Sequence, residues 1–470
     1  MRVFSSFIAI LLLCPLCVLH AAERRANVLF IIVDDLTTTL ACYGNTHVHT
    51  PAMDALAARG VRFDHAYTQF ALCNPSRCSF LTGCYPEKTG VMDLTTNLRK
   101  ALPDVVTLPQ HFKDHGYATG RVGKVFHVAD SKTKLDVELG TALRKDSEIL
   151  VEAKTANDPD DKPHAKAKGE GYNRTYAASA RPAADFTDYQ IADDAIATFN
   201  EFQAKPFFLA VGFIRPHTPY VAPKAFFEAI DKSQLSLPPF YRKGGEDVRH
   251  LPQSSLRPNN NVFRYASPTH DEALDALQAY LASASFVDSQ IGRVLAKLEE
   301  LKLTDSTVVV LTGDHGYQLG EHGLWAKQTL FEGANHVPLL IAAPGVKPGT
   351  RAGLAEQVDI YPTLCDLAGL PKPKHLQGRS LKPVLDDTAA KGRQVAISTM
   401  VAAHTKLTGH SVRTDAFRYI VWEQNGGELL YDLRNDPDEL HNLAAQPAQA
   451  ERMNRMRERL AAHLKAVSAP

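Results

Sequence analysis

The sequence predicts an α/β protein with a mostly parallel central sheet flanked by helices, followed by a smaller C-terminal α+β subdomain. Three observations favour this fold class. Four short apolar runs have the length of buried strands: Val28–Val33, Phe207–Val211, Val308–Leu311 and Leu339–Ala343. A helical pattern lies near each run, which is typical of a parallel sheet covered on both faces. This alternation ends near residue 385, where shorter strand-like segments begin.

The clearest helix precedes the third apolar run. Its apolar residues recur at helical spacing on one face, namely Val287, Ile291, Val294, Leu295, Leu298 and Leu301. Thr304 and Asp305 then form a turn into the run Val308–Leu311. This helix followed by a strand is the unit from which a parallel sheet is built.

The C-terminal segments predict a separate small unit. They are the strand-like stretches Val395–Thr399, Phe417–Trp422 and Glu428–Asp432, and a final helix from Pro447 towards Leu464. We therefore predict an α/β domain over residues 23–385 and an α+β subdomain over residues 386–470.

Two stretches interrupt the α/β pattern. Residues 130–180 are rich in Lys, Asp, Glu and Ala, with few aromatic residues. They form either a lid beside the active site or a solvated surface excursion. Residues 238–261 are a second loop-rich stretch.

The N-terminus predicts an export signal over residues 1–22. Arg2 supplies a positive charge, Phe7–Leu19 is apolar and uncharged, and Ala21 and Ala22 are small residues suited to cleavage. No later run reaches the roughly 20 apolar residues that cross a bilayer. We expect a periplasmic or extracellular protein, or a lysosomal one if the source is eukaryotic, without a membrane anchor after cleavage. The five cysteines beyond the signal are an odd number, so at least one is unpaired or modified.

Composition excludes two classes of protein. The 470 residues contain 52 Lys+Arg against 52 Asp+Glu, so no general basic surface for nucleic acid is expected. The hydrophobic fraction of 44% is too high for a disordered chain.

Reactive side chains follow the predicted strands where each strand ends. They are Asp34 and Asp35 after the first run, Lys124 and His127 after a weaker strand at Tyr117–Val122, His217 after the second run, and Asp314 and His315 after the third. Singly, such residues are more often turn or surface residues. Together they predict one crevice, because ligands bind at the carboxyl ends of the strands in open α/β sheets.

The three aspartates of this group predict a metal site. Asp34, Asp35 and Asp314 would repel one another unless a cation or protons neutralised them. Hard oxygen ligands without a thiolate cluster suit calcium or magnesium better than zinc. Such a cation could hold an oxyanion and act as a Lewis acid.

A cysteine adds a possible nucleophile. Asn74 could cap a helix and Pro75 suits its first turn, which places Cys73 at a helix N-terminus that favours an anion. A buried structural cysteine before a helix is the alternative, and composition alone leaves both open.

The segment that contains Cys73 resembles a known family signature. The run from Cys73 to Gly83, CNPSRCSFLTG, matches the type I sulfatase signature C-x-P-S-R-x-x-x-L-T-G at every fixed position. Further stretches resemble the other active-site blocks of that family: Asn27–Leu36, Gly123–His127, Arg215–Pro219, Gly313–Gly316 and Leu319–Lys327. The spellings GKVFH, LGEHG followed by WAK, and HSVRT before FRYIVW are most similar to the iduronate-2-sulfatase branch.

The resemblance implies an alkaline-phosphatase-like fold and a set of residue roles. A dedicated maturation enzyme would oxidise Cys73 to Cα-formylglycine. A calcium ion would be held by Asp34, Asp35, Asp314, His315 and an oxygen of the modified Cys73. Arg77 and Lys124 would fix the hydrated aldehyde, His127 would help to expel sulfate, and His217 and Lys327 would bind the substrate sulfate and the leaving oxygen.

We therefore expect an exported sulfatase that acts on a sulfated sugar or polysaccharide, with 2-O-sulfated uronic acid as the best candidate. Two alternatives stay open. One is a phosphonate or phosphate ester hydrolase of the same superfamily. The other is a catalytically inactive glycan-binding scaffold, against which the intact set of Cys73, Arg77, Lys124, His127 and Asp314 speaks.

Overall fold

The structure is a computed structural model that describes residues 25–128, 130, 132, 134–139, 175–202, 205–242, 248, 250–256, 262–263, 268–424 and 426–468. The predicted export signal lies outside the described residues, as does most of the predicted insertion, from residue 140 to residue 174. Among the described helices, none is long and apolar enough to cross a membrane.

The strands form a large mixed sheet, a small C-terminal sheet and one two-stranded ladder. In chain order they are β1 (Asn27–Val33), β2 (Val61–Tyr67), β3 (Ala118–Gly123), β4 (Val137–Leu139), β5 (Tyr176–Ser179), β6 (Phe207–Phe213), β7 (Tyr220–Pro223), β8 (Thr307–Gly313), β9 (His336–Ala342), β10 (Gly349–Glu356), β11 (Ala396–Val401), β12 (Thr408–Arg413), β13 (Phe417–Trp422) and β14 (Gly427–Asp432). The large sheet has the order β10-β2-β9-β8-β1-β6-β3-β4, and β5 pairs with β7.

The large sheet is parallel apart from β9. That strand pairs antiparallel with both of its neighbours, β2 and β8. The central strand β1 pairs in parallel with β6 and β8, with Val33 opposite both Phe213 and Gly313. These three strands therefore end at the same level, and the residues that follow them meet at one edge.

The helices cover both faces of this sheet and one face of the C-terminal sheet. They are α1 (Pro51–Arg59), α2 (Cys73–Thr82), α3 (Pro86–Thr89), α4 (Leu98–Ala101), α5 (Leu108–Asp114), α6 (Thr187–Glu201), α7 (Lys224–Glu228), α8 (Pro239–Arg242), α9 (His270–Glu300), α10 (Glu332–Asn335), α11 (Ile360–Leu367), α12 (Lys382–Asp386) and α13 (Ala450–Val467).

Successive side chains of β1 point to opposite faces of the large sheet and contribute to a separate apolar core on each face. Leu29, Ile31 and Val33 pack on the side of α1, α6 and α9. Val28 and Phe30 point the other way and pack with residues of α2, α5 and α11. The strand is buried on both faces, which explains its continuous apolar run.

The helix predicted from Val287 to Leu301 is the C-terminal half of α9. The helix begins earlier, at His270, where Thr269 and Glu272 form a capping box. Ile291, Val294 and Leu298 are buried on the face that packs against the sheet. The middle turns of the long helix α9 therefore lie close to the residues that follow β1.

The C-terminal sheet is antiparallel in the order β11-β12-β13-β14. One face packs against α13, through apolar residues such as Val412 and Met456. The other face packs against the large domain, where Ile420 and Trp422 join a cluster that includes Leu72. This second face therefore supports the segment directly before Cys73. The predicted fold class is confirmed, with a small antiparallel sheet in the C-terminal part.

Candidate active site

The candidate active site lies at the edge of the large sheet where the parallel strands end. The predicted residues reach it from separate elements: Asp34 and Asp35 after β1, Cys73 and Arg77 in α2, Lys124 and His127 after β3, His217 after β6, Asp314 and His315 after β8, and Lys327 in the loop before α10. Close backbone packing helps this convergence. At Gly212 of β6, a Cβ atom would lie 2.0 Å from the carbonyl oxygen of Lys124, so only glycine fits.

Three buried carboxylates form the centre of the site, and each is paired with a cation. Lys124 contacts Asp34, Lys327 Nζ lies 2.7 Å from Asp35 Oδ1, and Arg77 Nε lies 2.9 Å from Asp314 Oδ2. Burial alone would favour the neutral acid at Asp34. Lys124, His217, Arg77 and Lys327 outweigh burial and hold the pKa of Asp34 well below its ordinary value.

Cys73 lies against this charged cluster. Its Sγ is 3.4 Å from Asp34 Oδ1, 3.3 Å from His315 Nε2 and 3.2 Å from Lys327 Nζ. Burial and Asp34 favour the neutral thiol, but Lys124 and Lys327 hold the pKa of Cys73 below its ordinary value.

The pKa values of the other described cysteines are shifted in the opposite direction. Burial raises the pKa of Cys42, Cys78 and Cys365 to about 12 and that of Cys84 to about 11. Among the cysteines that the structure describes, Cys73 alone therefore lies in a site that favours an anion.

The helix that carries Cys73 begins differently from the prediction. Cys73 is the first residue of α2, as expected for a helix N-terminus, but the N-cap position is Leu72 and carries no side-chain cap. Asn74 is already helical, so its amide does not cap the helix. It donates instead to the carbonyl oxygens of Asp93 (2.8 Å) and Thr96 (2.9 Å). The expected capping role of Asn74 is therefore wrong, and the residue ties a neighbouring loop to the nucleophile helix.

The two histidines proposed for proton transfer differ in exposure. A ring nitrogen of His217 lies within 4.8 Å of ligand atoms of Asp34, Asp35 and Cys73. Its Nδ1 lies 2.6 Å from Thr218 O, which leaves Nε2 as the free nitrogen. His127 is the most exposed of the predicted site residues and lies at the rim. Partial burial, together with the neighbouring cations Lys124 and Arg77, lowers the pKa of His127 to about 4.

The donor set fits a hard divalent cation. Two groups of side chains have ligand atoms within 4.8 Å of one another: Asp34, Cys73, Asp314 and His315, and also Asp34, Asp35, Cys73 and His217. Asp35 Oδ2 is buried and has no hydrogen-bond partner among the residues that the structure describes, so one carboxylate oxygen is free to bind a cation. His315 Nδ1 lies 2.9 Å from Gly316 O, which directs Nε2 towards Cys73 and the carboxylates.

Sequence reasoning missed several supporting residues. Ser76 donates to Asp314 O, and Gln357 Nε2 donates to Gly313 O at 2.5 Å. Arg215 is buried and donates to His217 O at 2.9 Å and to Val221 O at 3.2 Å, which fixes the loop that carries His217. Ser76 and Arg215 stand inside the quoted motifs, whereas Gln357 has no sequence signal because it is distant in the chain.

Family models match nearly the whole chain. The sulfatase model covers residues 26–370, and the model of the C-terminal part of N-sulphoglucosamine sulphohydrolase covers residues 320–466. The chain belongs to the sulfatase family. This result confirms the resemblance seen in the signature, and the enzyme is a sulfuric ester hydrolase.

Three known proteins show how far the similarity of this sulfatase extends. A sulfatase of Formosa agariphila is 33% identical, over 89% of this chain and 83% of the relative. Human iduronate 2-sulfatase is 32% identical, over 92% of this chain and 95% of the relative. The solved phosphonate monoester hydrolase of Agrobacterium radiobacter superimposes with a TM-score of 0.79 at 24% identity, and the match covers 94% of this chain and 96% of that structure.

Proposed function

We propose that this sulfatase removes sulfate from a sulfated sugar or polysaccharide, with a 2-O-sulfated uronic acid as its preferred group. In the proposal, Cys73 is converted to formylglycine and a calcium ion is bound beside it. The observation that carries the proposal is the surrounding of Cys73. A cysteine in the sulfatase signature lies 3.2–3.4 Å from a carboxylate, an imidazole and an ammonium group.

The calcium ion would be held by Asp34, Asp35, Asp314 and His315, together with an oxygen of the modified Cys73. The buried, unpaired Asp35 Oδ2 supports this assignment. When bound, the ion supplies a positive charge that polarises the sulfate ester and favours the ionised hydroxyl of the nucleophile.

The protein's own side chains would carry out the nucleophilic attack, the charge stabilisation and the proton transfers. A hydrated aldehyde at position 73 offers two hydroxyls, one to attack sulfur and one whose deprotonation lets the sulfate leave. Lys124, Lys327 and Arg77 surround that position and stabilise the charge on the sulfuryl oxygens. His217 Nε2, which carries no proton while Nδ1 donates to Thr218 O, accepts the proton of the attacking hydroxyl and passes it to the leaving oxygen. His127 accepts the proton of the second hydroxyl.

Human iduronate 2-sulfatase supports the substrate class. That relative matches 92% of this chain, and both chains are covered almost end to end. The spellings GKVFH and LGEHG followed by WAK in this sequence point to the same branch. A 2-O-sulfated uronic acid at a chain end or within a polysaccharide is therefore the first substrate to test.

A phosphonate or phosphate ester is the second candidate substrate. It is favoured by the superposition on the Agrobacterium phosphonate monoester hydrolase, with its TM-score of 0.79. A tetrahedral phosphonate could bind the same three cations. A glycan-binding scaffold without activity is disfavoured, because the cations and carboxylates around Cys73 are all present and paired.

Paired kinetics separate these candidates. Protein produced together with a formylglycine-generating enzyme would be assayed for sulfate release from oligosaccharides that carry 2-O-sulfated uronic acid, and for hydrolysis of an aryl phosphonate. We expect a higher kcat/KM on the sulfated sugar and no activity in Cys73→Ala. Cys78→Ala is the matched control, because Cys78 is buried in the same helix and lies outside the cluster. A higher kcat/KM on the phosphonate would overturn the substrate assignment.

The proposal includes export and a division of the chain. We propose that residues 1–22 are removed on export to the periplasm or the extracellular space, that residues 23–385 form the catalytic domain, and that residues 386–470 form the C-terminal subdomain. The start of the second sheet at Ala396 supports the division. N-terminal sequencing of the protein isolated from its source would test the cleavage.

A further inference from the structure

We propose that Tyr280, in the middle of α9, is a positioning residue that sets the conformation of Asp35 for metal binding. Its hydroxyl donates to the backbone oxygen of Asp35 at 2.8 Å and accepts the backbone N–H of Thr37 at 2.9 Å. A side chain 245 residues distant in sequence therefore bridges the two sides of the turn that follows β1. The inference rests on the calcium site of the proposed function.

Asp35 has a backbone conformation that needs such support. Its φ is 62°, in the left-handed region that is uncommon outside glycine and that Asp and Asn enter more readily than other residues. The backbone N–H of Asp35 donates to Asp314 Oδ1 at 3.0 Å, so Asp314 and Tyr280 hold the residue on either side. All three residues are buried, and water does not reach these groups to replace a lost partner.

The backbone of Asp35 determines where its carboxylate points. Oδ1 lies 2.7 Å from Lys327 Nζ, and Oδ2 is buried without a hydrogen-bond partner in the described part of the chain. An unpaired carboxylate oxygen in a buried site is costly unless a cation binds it. The hydroxyl of Tyr280 thus helps to keep a free oxygen in place for the cation, although it does not touch the cation itself.

The ring of Tyr280 is fixed independently of its hydroxyl. It packs edge-on against Tyr220, with ring centroids 5.4 Å apart, and stacks with Tyr317 at 6.5 Å. Phenylalanine at position 280 would keep this packing and remove only the hydroxyl. The substitution would leave the oxygen of Asp35 and the N–H of Thr37 both without this partner, so the left-handed turn would lose one of its two supports.

Calcium affinity of the whole purified chain tests the inference. We would titrate metal-free wild type, Tyr280→Phe and Tyr431→Phe with calcium in a calorimeter. Tyr431 is the matched control, because it is equally buried and its hydroxyl has no hydrogen-bond partner in the described residues. We expect the calcium Kd of Y280F to rise about 10-fold to 100-fold, as for other groups that orient metal ligands, and that of Y431F to stay within twofold.

Two further readouts separate positioning from a general structural effect. Urea unfolding without calcium would show that Y280F is folded under the titration conditions. Sulfate release by Y280F should be low at limiting calcium and recover towards wild type when calcium saturates the site. An unchanged calcium Kd in Y280F would overturn the role of Tyr280 and leave the proposed function intact. Absence of calcium binding in the wild type would overturn both.

Discussion

At the scale of single residues, Lys327 contacts both halves of the candidate site. Its ammonium lies 2.7 Å from Asp35 Oδ1 and 3.2 Å from Cys73 Sγ. Lys327→Ala would remove a buried positive charge that stabilises the sulfuryl oxygens in the transition state. We expect kcat/KM for the sulfated sugar to fall about 10²-fold to 10³-fold, as for the loss of one oxyanion donor. Steady-state kinetics with saturating calcium would measure this.

The control for that substitution is Lys224→Ala. Lys224 is an exposed residue whose ion pair with Glu228 lies on the surface of α7. Its removal should leave kcat/KM unchanged within twofold. Equal effects of K224A and K327A, or a K327A enzyme with normal kcat/KM, would contradict the role given to Lys327.

The candidate residues could be named from the sequence because they stand at strand ends or within a specific signature. Asp34 and Asp314 directly follow apolar strands, so their convergence followed from parallel pairing alone. Asn74 and Tyr280 could not be assigned in this way. Asn74 looked like a helix cap, but the helix begins at Cys73 with Leu72 as its N-cap, and the amide of Asn74 binds a distant loop. Tyr280 sits in an ordinary helix, and only the packing of α9 brings it to Asp35.

At the scale of elements, the short helix α10 connects the C-terminal sheet to the active-site loop. Glu332 at its start accepts from Tyr67 OH at 2.6 Å and contacts Arg418 of β13. Arg418 is buried, donates to Leu330 O at 3.1 Å and pairs with Glu439 at 2.7 Å. Burial would favour neutral Glu332, but the guanidinium of Arg418 holds the pKa of that carboxyl well below its usual range.

Arg418→Met would leave the buried carboxylate of Glu439 and the partly buried carboxylate of Glu332 without their main counter-charge. We expect the free energy of unfolding to fall by about 3–5 kcal/mol, because removing one partner of a buried ion pair leaves the other charge without compensation inside the protein. Urea unfolding at neutral pH would measure the loss.

Two further variants test whether the loss in R418M comes from the ion pairs of Arg418. Arg434→Met removes an exposed pair with Asp415 and should cost less than about 1 kcal/mol. The double variant E332Q/R418M should recover part of the loss, since it no longer buries the unpaired charge of Glu332. A loss in R418M no larger than that in R434M would show that the pair does not stabilise the docked subdomain.

The strands with continuous apolar runs could be predicted from the sequence, whereas the strands that combine polar and apolar residues could not. β1, β6 and β8 are buried along their whole length, so their sequences are mostly apolar. β2 contains Arg62, Asp64 and His65 and is only partly buried, and β10 is mostly exposed in its first half. The antiparallel direction of β9 also had no sequence signal, because an apolar run does not reveal the direction of pairing.

At the scale of the whole molecule, the C-terminal helix α13 contacts the large α/β part of the chain through His463. Its ring packs edge-on against Tyr85, with centroids 4.5 Å apart, and its Nε2 is buried without a hydrogen-bond partner among the described residues. Burial and the nearby His410 and Arg393 lower the pKa of His463 to about 4.

This lowered pKa makes stability depend on pH in a defined direction. An unfolded histidine titrates near pH 6.5, so between about pH 6.5 and 4 the unfolded chain binds a proton that the folded chain does not. The contribution of His463 to stability is therefore complete above about pH 6.5 and is lost as the pH falls towards 4. His463→Phe keeps the edge-on contact and removes the titration.

Urea unfolding at pH 7.5 and pH 5 would test this effect. We expect wild type to lose more stability between the two values than H463F does. His441→Gln, a substitution at an exposed histidine, should behave like wild type. Equal losses in wild type and H463F would contradict a buried neutral imidazole at position 463.

The presence of a second, smaller sheet in the C-terminal part could be predicted from the change of pattern near residue 385. The way the two parts dock could not be predicted. Docking depends on Arg418, His463 and the apolar face of the C-terminal sheet, and these residues look like ordinary strand and helix residues in the sequence. Their partners are known only once the chain is folded.

The conversion of Cys73 is the most direct test of the proposed chemistry. Trypsin would release the peptide Phe63–Arg77 from protein isolated from its native source, and mass spectrometry would report the side chain at position 73. We expect the mass of the formylglycine peptide, with its hydrate, and no change at Cys78 in the next peptide. An unmodified thiol at Cys73 throughout the native protein would contradict the proposed nucleophile.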